Sequence, residues 1–159
     1  MKKILMIAVM MISALSASAG DGKLTFGVDG NFGANKDSRF GIGIKAQYML
    51  TEKFRAEAKG IYYPKKYEVS QWNALGSLEY LIPATEKINV YPIVGAGIML
   101  CSASALDNFS YLTYHGGIGA EYNVTDRFKF DCSILYQGGK KDDYKADWAL
   151  ISIGAAYRF

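Results

Sequence analysis

Proline, histidine and cysteine are all scarce, with 3 Pro, 1 His and 2 Cys among 159 residues. One histidine and two separated cysteines cannot assemble the usual zinc ligand sets. Cys101 and Cys132 fall on opposite side-chain parities of their segments, so two free thiols are expected even in an oxidising compartment. Beyond Gly20 no stretch carries a helical period, and no linker or low-complexity segment divides the chain. Neither sign of charge dominates, with 18 Lys and Arg against 15 Asp and Glu. That balance gives no argument for nucleic acid as a partner.

What is present begins with a leader pattern. Lys2 and Lys3 precede an uncharged run, Ile4 to Leu15, and Ala17-Ser18-Ala19 supplies small residues at cleavage positions, as in secretory signals. As a helix the run would span about 18 Å, short of a bilayer core of about 30 Å. Residues 1–19 are therefore expected to be a signal peptide and 20–159 a single domain of 159 − 19 = 140 residues. Loss of the leader removes two lysines, leaving 16 basic against 15 acidic residues, or a net charge of +1.

A repeat organises the remainder. YMLTEKF (Tyr48–Phe54) and YNVTDRF (Tyr122–Phe128) share the pattern Tyr-x-apolar-Thr-acid-base-Phe, and YLIPATEKI (Tyr80–Ile88) is a third copy with two extra residues. The flanks of each copy alternate with period two, which marks a β-hairpin rather than a helix cap. The chain then divides into eight strands: Lys23–Gly33, Arg39–Leu50, Phe54–Tyr63, Gln71–Ile82, Ile88–Cys101, Tyr111–Asn123, Phe128–Gln137 and Trp148–Phe159. Short turns alternate with longer loops (34–38, 64–70, 102–110 and 138–147), the spacing of an all-β, eight-stranded antiparallel up-and-down transmembrane β-barrel.

The two faces decide between a lipocalin-type soluble barrel and its inverse. One parity carries Leu24, Phe26, Val28, Ile42, Ile44, Val94, Ile118, Ile134, Ile151 and Ile153 among others, and no charge in any strand. The other carries Lys23, Asp29, Lys45, Arg55, Glu57, Lys59, Glu79, His115, Glu121, Lys129, Asp131 and Arg158, interspersed with Gly and Ser. A Lys or Arg facing mid-bilayer lipid costs roughly 2–4 kcal/mol. The charged parity is therefore expected to line the lumen, with Lys45, Arg55, Glu57, Lys59, Glu79, Glu121, Lys129 and Asp131 as a mutually paired network. A soluble barrel with so apolar an outer wall would aggregate. Aromatics fall into two groups, one beside the short turns and one toward the longer loops, where interfacial belts belong.

With these features the chain resembles the small eight-stranded outer-membrane barrels of Gram-negative bacteria, of the OmpA transmembrane-domain and OmpX kind. The resemblance covers 20–159 and rests on the eight strands, the Thr-acid-base turns and the terminal Tyr157-Arg158-Phe159. It implies that Tyr157 and Phe159 belong to the signal read by the barrel-assembly machinery, and that termini and short turns face the periplasm. It also implies outer-membrane lipid and lipopolysaccharide as surroundings, a monomer, no cofactor, and a structural or surface-interaction role. A narrow small-solute channel is the alternative. With no periplasmic domain after Phe159, peptidoglycan anchoring is not expected, and short external loops weigh against an adhesin.

An enzymatic reading finds less support. Lipid A deacylases among such barrels carry a His-x-Ser pair facing the membrane, whereas here His115-Gly116-Gly117 points His115 inward with no local nucleophile. His115 is expected to bond an interior carboxylate or Tyr. The glycines at 95, 97, 116, 117 and 119 lie inside strands with no helix following, so they are not phosphate loops; they are expected to make room for long interior side chains. Lys65, Lys66, Lys140 and Lys141 are candidates for lipopolysaccharide phosphates as point charges, although Asp142, Asp143 and Asp147 balance the second pair. The sequons at Asn108 and Asn123 are taken as chance.

Overall fold

The computed structural model describes residues 23–34, 38–66, 69–103, 106–141 and 144–159. The expected leader at 1–19 lies outside these. Eight long strands follow one another: β1 (Leu24–Ala34), β2 (Arg39–Met49), β3 (Phe54–Lys66), β4 (Val69–Tyr80), β5 (Ile88–Ala103), β6 (Leu106–Asn123), β7 (Phe128–Lys141) and β8 (Tyr144–Arg158). Each pairs antiparallel with the next, and β8 returns to pair with β1. Phe26, for example, faces Ala46 on one side and Tyr157 on the other. Closure leaves no free edge along the shared length of the strands, which is how a sheet satisfies its backbone in lipid.

The three repeats make three copies of one turn. In each, the Thr hydroxyl accepts from the backbone N–H three residues on, Thr51 from Phe54 at 3.0 Å, Thr85 from Ile88 at 3.0 Å and Thr125 from Phe128 at 2.9 Å. The amides of the Thr and of the residue before it both donate to that same residue's carbonyl. The Thr is thus the side-chain cap of a tight four-residue bend, a local bond that competes well with regular structure. Changing any one of the three to Ala is expected to lower stability by about 1 kcal/mol, read as a shifted urea midpoint for the refolded barrel, while the matching Thr→Ser variant keeps it.

The third copy's two extra residues have a place. Glu79 pairs with Ile93 and Ile82 with Val90, so the same register puts Tyr80 opposite Pro92. Pro92 has no N–H to give, and the ladder breaks there before resuming over Ile82–Pro83. This hairpin consequently reaches further than the other two before it turns.

At the opposite, loop end the strands run longer than alternation suggests. β3 and β4 extend to Lys66 and from Val69, β5 and β6 to Ala103 and from Leu106, β7 and β8 to Lys141 and from Tyr144. Most of the expected loops at 64–70, 102–110 and 138–147 are strand. Polar residues and the Gly138-Gly139 pair mask the alternation there, and bulges interrupt the register between Tyr63 and Lys66 and between Cys101 and Ala103. The side chains of Lys65, Lys66, Lys140 and Lys141 lie outside the described residues.

The outer wall is apolar throughout the strands' middle, with Ile44, Val94, Leu112, Ile118 and Ile153 at 62–68% exposure. Leu24 is a correction: alternation puts it outward, yet it is 1% exposed at the turn-end rim. There Tyr48 pairs with it and Phe159 N–H donates to its carbonyl at 2.9 Å. Cys132 lies on the outer wall and Cys101 in the lumen, both as free thiols. Aromatic pairs mark both ends of the apolar band. Phe54–Tyr80, Phe26–Phe159 and Tyr157–Phe159 sit at the turn end with ring centroids 5.0–5.8 Å apart, and Tyr62–Trp72 at the loop end at 4.8 Å.

Candidate functional site

The lumen holds the chemistry. Inward parity on eight strands converges on one axis, so side chains far apart in sequence meet across it. Arg55 on β3 is nearly in line with Glu79 on β4, its ladder partner, and pairs with it through Nε. Its Nη1 crosses to Glu121 on β6 at 2.6 Å, while its guanidinium lies 4.8 Å above the centre of the Tyr91 ring. Lys129 on β7 reaches the same Glu121 at 2.8 Å, and Asn89 donates to the other oxygen at 2.9 Å.

A second cluster sits beside the first. Lys45 on β2 pairs with Asp131 on β7 across the lumen and lies 3.5 Å from Asp29 on β1. Lys59 on β3 lies 3.2 Å from the same Asp29 and 3.8 Å from Glu57. Gln47 holds Glu57 at 2.7 Å, Asn31 holds Asp29, and Ser152 holds Asn31 at 2.7 Å. Two like-charged pairs stand directly opposite in the ladders, Lys45 with Lys59 and Glu121 with Asp131. Such pairs repel; here the lysines are relieved by Asp29 from β1, and the carboxylates by Arg55 and Lys45 from β3 and β2 and by Lys129 of β7 itself. The eight charged residues singled out in the sequence thus fall into two ion-paired clusters, the second of which also includes Asp29, and seven of the eight are buried, Glu57 partly so. Arg158, at the rim, is half-buried, and Lys23 is exposed.

Small residues create the space. A Cβ on Gly43 would meet Asp29 and would lie 2.7 Å from Asn31 Nδ2. A Cβ on Gly119 would lie 2.5 Å from Cζ of Tyr91. In an eight-stranded cylinder, interior bulk on one strand needs a gap on its neighbour.

His115 corrects the sequence reading. Its Nε2 lies 2.8 Å from the hydroxyl of Ser77, neither a carboxylate nor a Tyr. The contact spans β5, because Gly95 stands between the two in the ladder and a Cβ there would lie 2.5 Å from Nε2. A nucleophile therefore does stand within hydrogen-bond reach, contrary to expectation. The pair lacks what activates such nucleophiles: Nδ1 of His115 has no hydrogen-bond partner among the described residues, so no carboxylate orients the ring. His115 is also 3% exposed. No group of His, Cys, Asp and Glu among the described residues is arranged to hold a metal ion.

The lumen also contains an apolar cluster that the sequence reading overlooked: Ile61, Tyr63, Leu75, Met99, Cys101, Leu135, Trp148 and Leu150, continued toward the turn end by Leu81, Tyr91 and Ile93, all buried. The signal was available, since every one of them has inward parity. Within that cluster Asn73 and Gln137 exchange amide hydrogen bonds at 3.0 and 3.3 Å, and Gln137 donates to Thr113 at 3.0 Å.

Phe159 closes the seam. Its ring packs against Phe26 of β1 and Tyr157 of β8, and its amide bonds Leu24, so the terminal residue joins the last strand to the first.

A closed antiparallel cylinder that is apolar outside and carries its charges inside is a transmembrane β-barrel. More particularly, the chain belongs to the outer membrane protein beta-barrel domain family, whose model matches residues 5–159. Among solved structures it is similar to the N-terminal β-barrel domain of Pseudomonas aeruginosa OprF, with a TM-score of 0.66, 14% identity and coverage of 85% of this chain and 97% of that one. Neisserial surface protein A gives a TM-score of 0.68, 16% identity, 87% and 98% coverage. The Yersinia pestis attachment invasion locus protein Ail gives 0.53, 18%, 86% and 97%. At these identities the likeness is one of fold. No curated protein matches the chain.

Proposed function

We propose that this protein is exported by a cleaved leader at 1–19 and resides in the outer membrane as a monomeric barrel with a lumen plugged by its own side chains. It serves there as a structural or surface-interaction element, with the short turns in the periplasm and the loop end outside among lipopolysaccharide. The observation that carries this reading is the reciprocal ion pairing across the axis, Arg55 with Glu121 and Lys45 with Asp131. Charges that neutralise one another in pairs fill a lumen, whereas a water path is lined by charges that face water. Refolded into a planar bilayer, the mature chain is expected to give no stable single-channel current while its heat-sensitive gel shift reports a folded barrel. Discrete, reproducible openings that change when Lys45, Arg55 or Glu57 is neutralised would make it a small-solute channel instead. Altered lipid A masses in cells carrying the protein, lost with His115→Ala, would make the Ser77–His115 pair an enzyme.

Tyr157 and Phe159 are proposed as the part of the chain read by the assembly machinery. Deleting Phe159 is expected to lower the folded yield in cells several-fold while leaving spontaneous refolding into vesicles much less affected. Equal losses in both settings would reduce the residue to a seam contact.

A further inference from the structure

The buried ions of the lumen gather toward one end. Read from the turn end, β3 presents Arg55, Glu57 and Lys59 and then Ile61 and Tyr63. On β7, Lys129 and Asp131 give way to Ser133 and Leu135; on β4, Glu79 gives way to Ser77 and Leu75. The buried ions therefore occupy the turn-end half, where Leu81, Tyr91 and Ile93 of the apolar cluster pack beside them, and the rest of that cluster, with Trp148, Leu150, Met99 and Cys101, fills the loop-end half. His115 and Ser77 lie at the boundary.

We propose that the lumen carries two barriers in series, and that the apolar layer, rather than the salt bridges beneath it, is what stops ions. The proposal rests on the closed-lumen reading above. A salt-bridge layer is a poor seal in principle, because an entering ion can exchange places with a paired side chain and find an opposite charge at each step. A dry apolar constriction offers an ion no partner at all. Ile61 and Leu150 are fully buried, and Leu75, Leu135, Met99 and Trp148 nearly so. The Asn73–Gln137–Thr113 chain within this layer is neutral, and its amides are committed to one another. Asn73 stands directly opposite Ile61 and Met99 in the ladders, so that chain is embedded in the apolar layer and does not bypass it.

The test compares three full-length mature chains in planar bilayers in potassium chloride: the parent, an ionic-layer variant (Glu57→Gln with Lys59→Met) and an apolar-layer variant (Ile61→Ser with Leu150→Ser). Folding of each is checked by the heat-dependent gel shift. The ionic-layer variant is expected to stay silent, and the apolar-layer variant to raise mean current about tenfold or more over the parent. Openings in the ionic-layer variant alone, openings in both variants alike, or silence in a folded apolar-layer variant would each overturn the proposal. If the double serine variant does not fold, Leu150→Thr replaces it, and the ionic-layer variant remains decisive because its conduction is sufficient to refute. Conduction by the parent would sink the closed-lumen reading separately; the ranking of the two variants then still decides which layer limits the current.

Discussion

Arg55→Met is expected to cost about 3–5 kcal/mol of stability, the usual toll for removing one partner of a buried ion pair. The large figure follows from what is left behind. Glu79 loses the guanidinium that neutralises it while remaining fully buried. Glu121 keeps Lys129 at 2.8 Å and Asn89 at 2.9 Å, so most of the damage falls on Glu79. The face of Tyr91 loses its cation as well. Denaturant titration of the refolded barrel should show a midpoint far below that of the parent, or no heat-shifted band at all. Adding Glu79→Gln, which removes the stranded charge, should recover a substantial part. An Arg55→Met barrel as stable as the parent would mean that the lumen is wet enough to screen these charges.

The second large effect contrasts two glycines on opposite faces. At Gly119 a Cβ would press into the Tyr91 ring, 2.7 Å from the hydroxyl and closer to ring carbons. Tyr91 has no room to retreat, being buried beneath Arg55. Gly119→Val adds two methyl groups beyond that Cβ, so a loss of about 3 kcal/mol, the upper end for overpacking, is expected. Gly60 faces lipid with nothing within 4 Å of its Cβ direction. There Val adds apolar surface to the wall and removes a residue that weakens strands, for a gain of about 0.5–1 kcal/mol. The two variants measured side by side should move the midpoint in opposite directions. Movement in the reverse sense would invert the assignment of faces.

Much of this architecture can be read from alternation alone. Strand number, the order of short turns and the sign of each face follow from period two, because a one-residue slip would exchange lipid for lumen along an entire strand. Three things could not be read in that way. The loop-end strand extensions, such as Leu106–Ser110 and Tyr144–Asp147, do not follow the polar–apolar alternation that marks the rest of the strands. Partners such as Arg55 with Glu121 depend on the curvature that brings β3 and β6 together, which no local spacing encodes. The Ser77–His115 bond needs Gly95 between them, and its meaning emerges only when β4, β5 and β6 are laid side by side. The apolar loop-end lumen is different, since Ile61, Leu75, Leu135 and Leu150 all have inward parity; a face defined by its charges had simply absorbed them.

The like-charged neighbours in the ladders bear on how the cylinder forms. A β2–β3 hairpin standing alone sets Lys45 against Lys59, and a β6–β7 hairpin sets Glu121 against Asp131. Each hairpin holds only part of the relief: Glu57 lies 3.8 Å from Lys59 and Lys129 lies 2.8 Å from Glu121, while the ion pairs of Lys45 and Asp131 come from other strands. Asp29 arrives with β1, Arg55 crosses from β3 to β6, and Lys45 meets Asp131 only when β2 and β7 face each other around a closed circumference. Intermediates short of closure therefore carry repulsion that is only partly compensated, and the docking of further strands removes the rest step by step. The interior charges thus favour the closed cylinder over a half-built sheet, because the pairs Lys45–Asp131 and Arg55–Glu121 exist only across the finished lumen.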